Sequence, residues 1–496
     1  MSRSILINAL LAMSVAFMGL SVSSCSDDDD VTPSHSSSSS SSTDDDDDDD
    51  SSTISATTIE ANRFVYEIMT DYYYWYSEMP RLNYRTQTDT EEYFYNLLSS
   101  KDRFSYISDD ADETTGQLQG EYTDFGWEYI LTYMNSNQDT VAAIVTYVYG
   151  DTPASAAGAK RGDVIFSVSG TVMTGSNYSS VFSNATTGEF KGYRVVDGKV
   201  TTVTYSMTAA AITENPVAVS KVLTQDDGSK VGYLFYTSYS YTFNDDLKAA
   251  VQNFKDEGVT DVVLDLRYNT GGDLDALACM VDMLAPASAI TNKSEYLYYD
   301  FNAKLQTLSS YSRENTALHF SDDPGVNLDL SRLVVLVGSS TYSASEATIW
   351  SLKPYMDVTL IGSTTGGKNS VMYVLSPSDF TYSSTGKPYF STSIDNWLIM
   401  PIVAVYKNAT GETFDTSGGY GLSPDYSVSD FYHVLSNGVK EIGDPEENLL
   451  SAALEYLSTG TVSTSKAATL EAQALGSSAD AKLHALVDLR HQKISK

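Results

Sequence analysis

Three short apolar runs, each released into a glycine- or serine-rich loop, constrain this chain more than any other feature. Val262-Val263-Leu264-Asp265-Leu266 runs into Arg267-Tyr268-Asn269-Thr270-Gly271-Gly272; Leu333 to Val337 leads to Tyr342-Ser343-Ala344-Ser345-Glu346; Val358 to Ile361 leads to Gly366-Gly367-Lys368-Asn369. Continuous Val, Leu and Ile without polar alternation suits strands buried on both faces, the habit of parallel sheets covered by helices. Helical stretches separate the runs, an amphipathic one from Asp245 to Glu257 and another from about Leu274 to Leu284, with a further helix after Ser343. The pattern predicts an α/β layer within residues 211–457, with its site on the loops at the strand ends.

Two other compositions precede it. From Thr58 to Ile107, Ile59, Phe64, Ile68 and Met69 recur at helix spacing, and Thr88 and Asp89 are capping candidates for a second helix from Thr90 to Leu98. We read residues 58–114 as a small helical N-terminal domain, with the cluster Tyr72 to Tyr76 in its core. Across residues 115–210, valine, threonine and tyrosine alternate between glycine turns, which predicts a β-rich domain. The tail, residues 458–496, alternates Ala, Leu and charge and reads as a loose helix or disorder. The fold class is therefore multidomain α+β.

The N-terminus indicates export. A charged start and the apolar stretch Ile5 to Val22 have the form of a secretory signal. Val22-Ser23-Ser24-Cys25 resembles a bacterial lipobox, which implies a signal over residues 1–25 and lipidation of Cys25. Residues 26–57, with Asp27 to Asp30, Ser36 to Ser42 and Asp44 to Asp50, cannot bury apolar surface and read as an extended tether. An acidic run after a lipidated cysteine resembles surface-export signals of Gram-negative lipoproteins. The expected location is the cell envelope, lipid-anchored to the outer membrane on its periplasmic or surface face. Only Cys279 would remain in the body, so no intramolecular disulfide is expected.

The formal charge is −35, and the first 50 residues hold eleven Asp against Arg3. The body itself is thus acidic, which argues against nucleic acid and against electrostatic docking to anionic lipid. No His-Glu-x-x-His or Cys/His cluster suggests a metal, and no cofactor is implied.

Ser343 and Lys368, 25 positions apart, suggest a Ser/Lys hydrolase in which a neutral amine removes the hydroxyl proton. Alone, Ser343 would be a helix cap, Lys368 a solvated loop lysine and Gly271-Gly272 a turn. Their joint order and spacing outweigh those readings. Gly-x-Ser-x-Gly is absent; Ser463 to Lys466 matches Ser-x-x-Lys without companion motifs; His319 and His433 lack a diagnostic neighbourhood.

The set Asp265-Leu266-Arg267-Tyr268-Asn269-Thr270-Gly271-Gly272, Ser343-Ala344-Ser345-Glu346 and Gly367-Lys368 resembles the carboxyl-terminal processing peptidases, or tail-specific proteases. Asp102-Arg103-Phe104-Ser105-Tyr106-Ile107 and Gly421-Leu422-Ser423-Pro424-Asp425 extend the likeness over roughly residues 58–457. The resemblance implies a crotonase-like or ClpP-like α/β protease domain, Ser343 as nucleophile and Lys368 as its base. The amides of Ala344 and of Gly271 or Gly272 would form the oxyanion hole, and Glu346 would orient neighbours or complement the helix N-terminus. Pro354, eleven positions after Ser343, stands where some relatives have an acidic residue, so a dyad is expected.

Gly150-Asp151-Thr152-Pro153-Ala154 through Gly162-Asp163-Val164-Ile165 resembles a PDZ segment, a module that captures extended peptides as added strands. Its binding loop would lie at Phe125, Gly126 and Trp127, although Glu128 replaces a usual glycine. Peptide capture and a purely structural role both stay open. The expected activity is endopeptidase action on exported or unfolded proteins or peptides; the alternative is a non-catalytic lipoprotein that binds peptides or apolar ligands on the same fold.

Overall fold

The three apolar runs form adjacent parallel strands. In the computed structural model, which describes residues 54–134, 137–431, 438–463, 474–478, 482, 486–488 and 494–495, they are Asp261–Asp265, Arg332–Val337 and Asp357–Gly362. They lie in a six-stranded sheet with Val217–Thr224 and Lys230–Tyr236 on one side and Tyr426–Ser427 on the other. Only the outermost Val217–Thr224 pairing is antiparallel. Residues one to fifty-three, and with them the signal, Cys25 and nearly all of the tether, lie outside the described residues, as do His433 and Lys466.

Period-two alternation decides which side chain faces which layer. Leu234, Leu264 and Val335 join Leu277 and Ala347 from the helices Leu274–Leu284 and Ala344–Leu352 in one core. Tyr233, Val263, Val334 and Leu336 face the opposite way, onto Leu449 and Leu450 of the helix Asn448–Thr459. Each fully buried aliphatic side chain contributes about 1.5–3 kcal/mol, so covering both faces holds the strand ends rigid.

A second six-stranded sheet runs in the order Gly272–Asp273, Leu486–Asp488, Ser370–Tyr373, Ile402–Asn408, Glu295–Phe301, Leu318–His319. His319 is exposed on its last strand. Half-buried Cys279 lies on the helix Leu274–Leu284, against the larger core.

The N-terminal helices Ala56–Tyr72 and Thr90–Leu97 form where their spacing predicts, the second capped by the Asp89 carboxylate accepting from Glu92 N. Rather than closing a core of their own, they share the core of the α/β layer. Phe64 meets Phe380 and Phe390 edge-on, with ring centroids 6.2 and 5.0 Å apart. A two-helix segment of this size has too little apolar area to close on itself, so it spends its apolar face on the larger body.

The β-rich segment builds a sheet in the order Ala474–Ser477, Trp127–Tyr133, Val141–Val148, Val164–Val168, Thr187–Val196, Lys199–Thr208, with its own core of Phe125, Trp127, Leu131, Phe182 and Phe190. It is tied to the α/β layer by Arg161, which bonds Asp430 at 2.6 Å and the Tyr268 hydroxyl at 2.9 Å. Burial opposes ionisation of Asp430, but Arg161 and Arg267 beside it prevail and hold its carboxyl at about 2.

The described parts of the tail differ from the helix or disorder that their composition suggests. Ala474–Ser477, Leu486–Asp488 and Ile494–Ser495 are strands, each paired to an edge elsewhere in the fold. Unpaired edge N–H and C=O groups template such pairing, and local composition does not encode it. Among the described residues no helix is long and apolar enough to cross a membrane.

Candidate active site

The loop after Arg332–Val337 turns sharply before the helix Ala344–Leu352, and Ser343 occupies the turn with φ 58° and ψ −110°. A non-glycine residue there carries strain of about 1–3 kcal/mol that its surroundings must hold. Here Ala347 N donates to Ser343 O at 2.7 Å, and Ser343 N donates to Glu346 Oε2 at 3.0 Å. The Ser343 side chain is fully buried, and its Oγ has no hydrogen-bond partner.

Glu346 joins this turn to the lysine loop. Its carboxylate also accepts from Gly367 N at 2.9 Å, Lys368 N at 2.7 Å and the Thr365 hydroxyl. Burial raises its pKa, against which these four donors stabilise the charged form. Tyr406 adds a second bridge, its hydroxyl directed at Lys368 O at 3.1 Å and Ser343 O at 3.3 Å. Two side chains thus hold the serine and lysine backbones in one constellation.

Lys368 is fully buried, with Nζ 2.7 Å from Met372 Sδ and 5.1 Å from the Phe104 ring centroid. Burial lowers its pKa from 10.5 to about 7, with Asp102 and Glu346 pulling the other way. An amine near 7 is half neutral at neutral pH, as a general base requires. The N-terminal segment closes over it: Arg103 donates to Gly367 O at 2.7 Å, and Phe104 packs edge-on against Tyr342 at 6.0 Å.

The third loop is fastened to the Ser343 turn by Asn269, whose carbonyl accepts from Tyr342 N and from Ser345 Oγ, both at 3.0 Å. The Asn269 side chain also takes the Gly271 amide, at 2.9 Å. This corrects the expectation for Gly271, because a short Asx turn consumes the donor that an oxyanion hole would need. Gly272 is indispensable for another reason: at φ 146°, a Cβ would fall 1.9 Å from Tyr239 O. Ala344 is buried at the first position of the helix that follows Ser343, where amides lack an intrahelical acceptor.

Ser343, Glu346 and Lys368 are therefore brought together, with Ala344 next to the serine in the chain, whereas Gly272 packs against Tyr239. The Phe125 and Trp127 rings are buried in the β-rich core, and Gly126 packs against Thr152, where a Cβ would meet side-chain atoms at 2.3 Å. Ser463 is exposed and spends its hydroxyl on Glu455 at 3.2 Å. Sequence reasoning missed Tyr406 and Thr365, which carry no local signal. It named the segment of Gly421 without its reason: a Cβ there would sit 2.1 Å from Glu346 Oε1. Among the described residues no His, Cys, Asp and Glu group could hold a metal ion.

Comparison with known proteins agrees with this geometry. Residues 230–428 match the sequence pattern of peptidase family S41, and residues 60–106 match the peptidase S41 N-terminal domain. A carboxy-terminal-processing protease of Bartonella bacilliformis is 24% identical over 363 residues, 71% of this chain and 73% of that protein. A carboxyl-terminal-processing protease of Synechocystis is 29% identical over 175 residues, covering 35% of this chain and only 36% of the relative. A crystal structure assigned to the S41 proteases, from Bacteroides fragilis, aligns with a TM-score of 0.63 at 27% identity, over 80% of this chain and 97% of that one.

Proposed function

Since the chain belongs to peptidase family S41 and is on that ground a serine-type peptidase, we propose that it is an endopeptidase in which Ser343 is the nucleophile and Lys368 its general base. The observation that carries the reading is the pair of bridges from Glu346 and Tyr406, which lock the two backbones together while leaving Ser343 Oγ unpartnered. Neutral Lys368 accepts the Oγ proton as Oγ attacks the peptide carbonyl; the resulting ammonium then protonates the leaving amine. The Ala344 amide and the dipole of its helix stabilise the tetrahedral oxygen, together with a donor from the Gly272 side of the glycine loop. Water, deprotonated by the same lysine, releases the acyl group. Effective positioning of this kind is worth several orders of magnitude in rate, about 7–11 kcal/mol at its upper end.

The β-rich module is read as PDZ-like, with unfolded or exported proteins as substrates, and Cys25 as the lipid anchor that holds the enzyme at the cell envelope. The non-catalytic alternative draws on one observation, the Gly271 amide held by Asn269. Hydrolysis of an unfolded protein by residues 51–496 decides between them. The wild type cleaves, and Ser343→Ala and Lys368→Ala do not; an inert wild type, or a variant that cleaves equally well, refutes the dyad.

A further inference from the structure

The edge strand Trp127–Tyr133 of the β-rich module is not free. The tail strand Ala474–Ser477 pairs with it antiparallel, setting Ala474 opposite Thr132, Gly476 opposite Leu131 and Ser477 opposite Ile130. Ser478 continues the contact: Tyr129 N donates to its Oγ at 2.9 Å, and that hydroxyl donates to Glu128 Oε2. Lys482 then enters an acidic, aromatic pocket. Its ammonium bonds Glu128 Oε1, and Glu214 Oε2 at 2.7 Å, and lies 5.2 and 5.6 Å from the ring centroids of Tyr122 and Tyr149. The side chains of Glu128 and Glu214 are only 8% and 10% exposed, so two carboxylates are buried together around one cation. Burying such a pair without a counter-charge is costly, which makes the pocket specific for an ammonium or guanidinium group.

The same tail reaches the other end of the site. Leu486–Asp488 lies as a parallel strand between Gly272–Asp273 and Ser370–Tyr373. Leu486 is opposite Gly272, and Val487 is opposite Met372, whose sulfur touches Lys368 Nζ. A strand in that slot runs between the glycine loop and the strand that follows the lysine, where an extended substrate would take up backbone hydrogen bonds. Charge agrees with this docking. Residues 458–496 hold five Lys or Arg against three Asp or Glu, whereas the whole chain has a net charge of −35.

We propose that Trp127–Tyr133, Glu128 and Glu214 form a lysine-reading peptide groove, and that the chain's own C-terminal segment is its ligand, laying Leu486–Asp488 across the substrate slot. The groove selects extended basic peptides by an internal lysine side chain, in place of a terminal carboxylate. A substrate must displace the tail before it reaches Ser343. Only this competition rests on the peptidase reading; the groove does not.

The test uses the full chain. Hydrogen exchange is followed by mass spectrometry in a Ser343→Ala background, with and without Lys482→Glu, which places a third carboxylate in the pocket. Amides of 474–478 and 486–488 are expected to be protected in the parent and to exchange about tenfold faster or more in Lys482→Glu, while Lys482→Arg keeps the protection. With Ser343 present, Lys482→Glu lowers KM for an unfolded protein, and a synthetic peptide of residues 471–496 restores the inhibition. Equal exchange in parent and Lys482→Glu, or a peptide that fails to inhibit an active Lys482→Glu enzyme, overturns the proposal. Release of the tail without hydrolysis by any variant refutes the peptidase reading and leaves the groove standing.

Discussion

Replacing Lys368 with methionine should abolish hydrolysis and stabilise the fold, and the stabilisation should depend on pH in a defined direction. Methionine has nearly the same volume and no charge, so the substitution leaves packing against Met372 and Phe104 close to intact. In the unfolded chain Lys368 titrates near 10.5, whereas burial holds it at about 7 in the fold. Between those values the unfolded chain binds more protons at this position, so wild-type stability rises with pH across the window. At 1.36 kcal/mol per pH unit, burying the lysine costs about 4 kcal/mol at pH 7 and about 2 kcal/mol at pH 9. The methionine variant avoids that cost, so its advantage should shrink by about half over two pH units.

Urea unfolding of residues 51–496, followed by tryptophan fluorescence at pH 7, 8 and 9, measures the gap. Hydrolysis measured in parallel should rise in the wild type as pH passes 7 and then level off. At pH 8 about nine-tenths of a lysine with that pKa is neutral, against about one in 300 for an ordinary lysine. A variant less stable than the wild type at pH 7, a gap that does not narrow with pH, or retained hydrolysis would refute the buried-amine argument.

Three further substitutions probe the frame around the pair. Ser343→Gly should be inactive yet about 1 kcal/mol more stable than the equally inactive Ser343→Ala, because φ 58° strains alanine and not glycine; equal unfolding free energies would count against strain at the turn. Glu346→Gln replaces one accepting oxygen with an NH2, which then faces either the Gly367 or the Lys368 donor, and this should cost about 1–3 kcal/mol and about 100-fold in kcat. Its residual activity should begin at lower pH, because the charge that raises the Lys368 pKa is gone, and an onset displaced to higher pH would contradict the assigned sign. Gly421→Ala drives a methyl to 2.1 Å from Glu346 Oε1 and should lower kcat rather than only raise KM, whereas wild-type kcat would mean that this contact relaxes freely.

The α/β layer was legible because its three central strands are continuous apolar runs, and burial on both faces leaves no other stable use for them. The joining of the Ser343 and Lys368 loops was legible as well, since each follows one of these strands and adjacent parallel strands release their loops at the same sheet edge. Asp89 announced its helix through a side chain that caps it three residues on. All of these signals are local.

Tertiary structure alone decided the rest. Tyr406 is one of 36 tyrosines, and nothing in its neighbours says that it spans the serine and lysine carbonyls. Gly271 looked equivalent to Gly272 until the Asn269 side chain claimed its amide. The depressed pKa of Lys368 comes from desolvation, which depends on every chain segment packed around it. Most of all, the tail carries a composition that suits a helix or no structure, and its described stretches Ala474–Ser477 and Leu486–Asp488 are strands because distant edges pair with them, beside the two buried carboxylates that hold Lys482. Residue order determined which groups could do the chemistry; long-range packing determined how charged, how strained and how accessible they are.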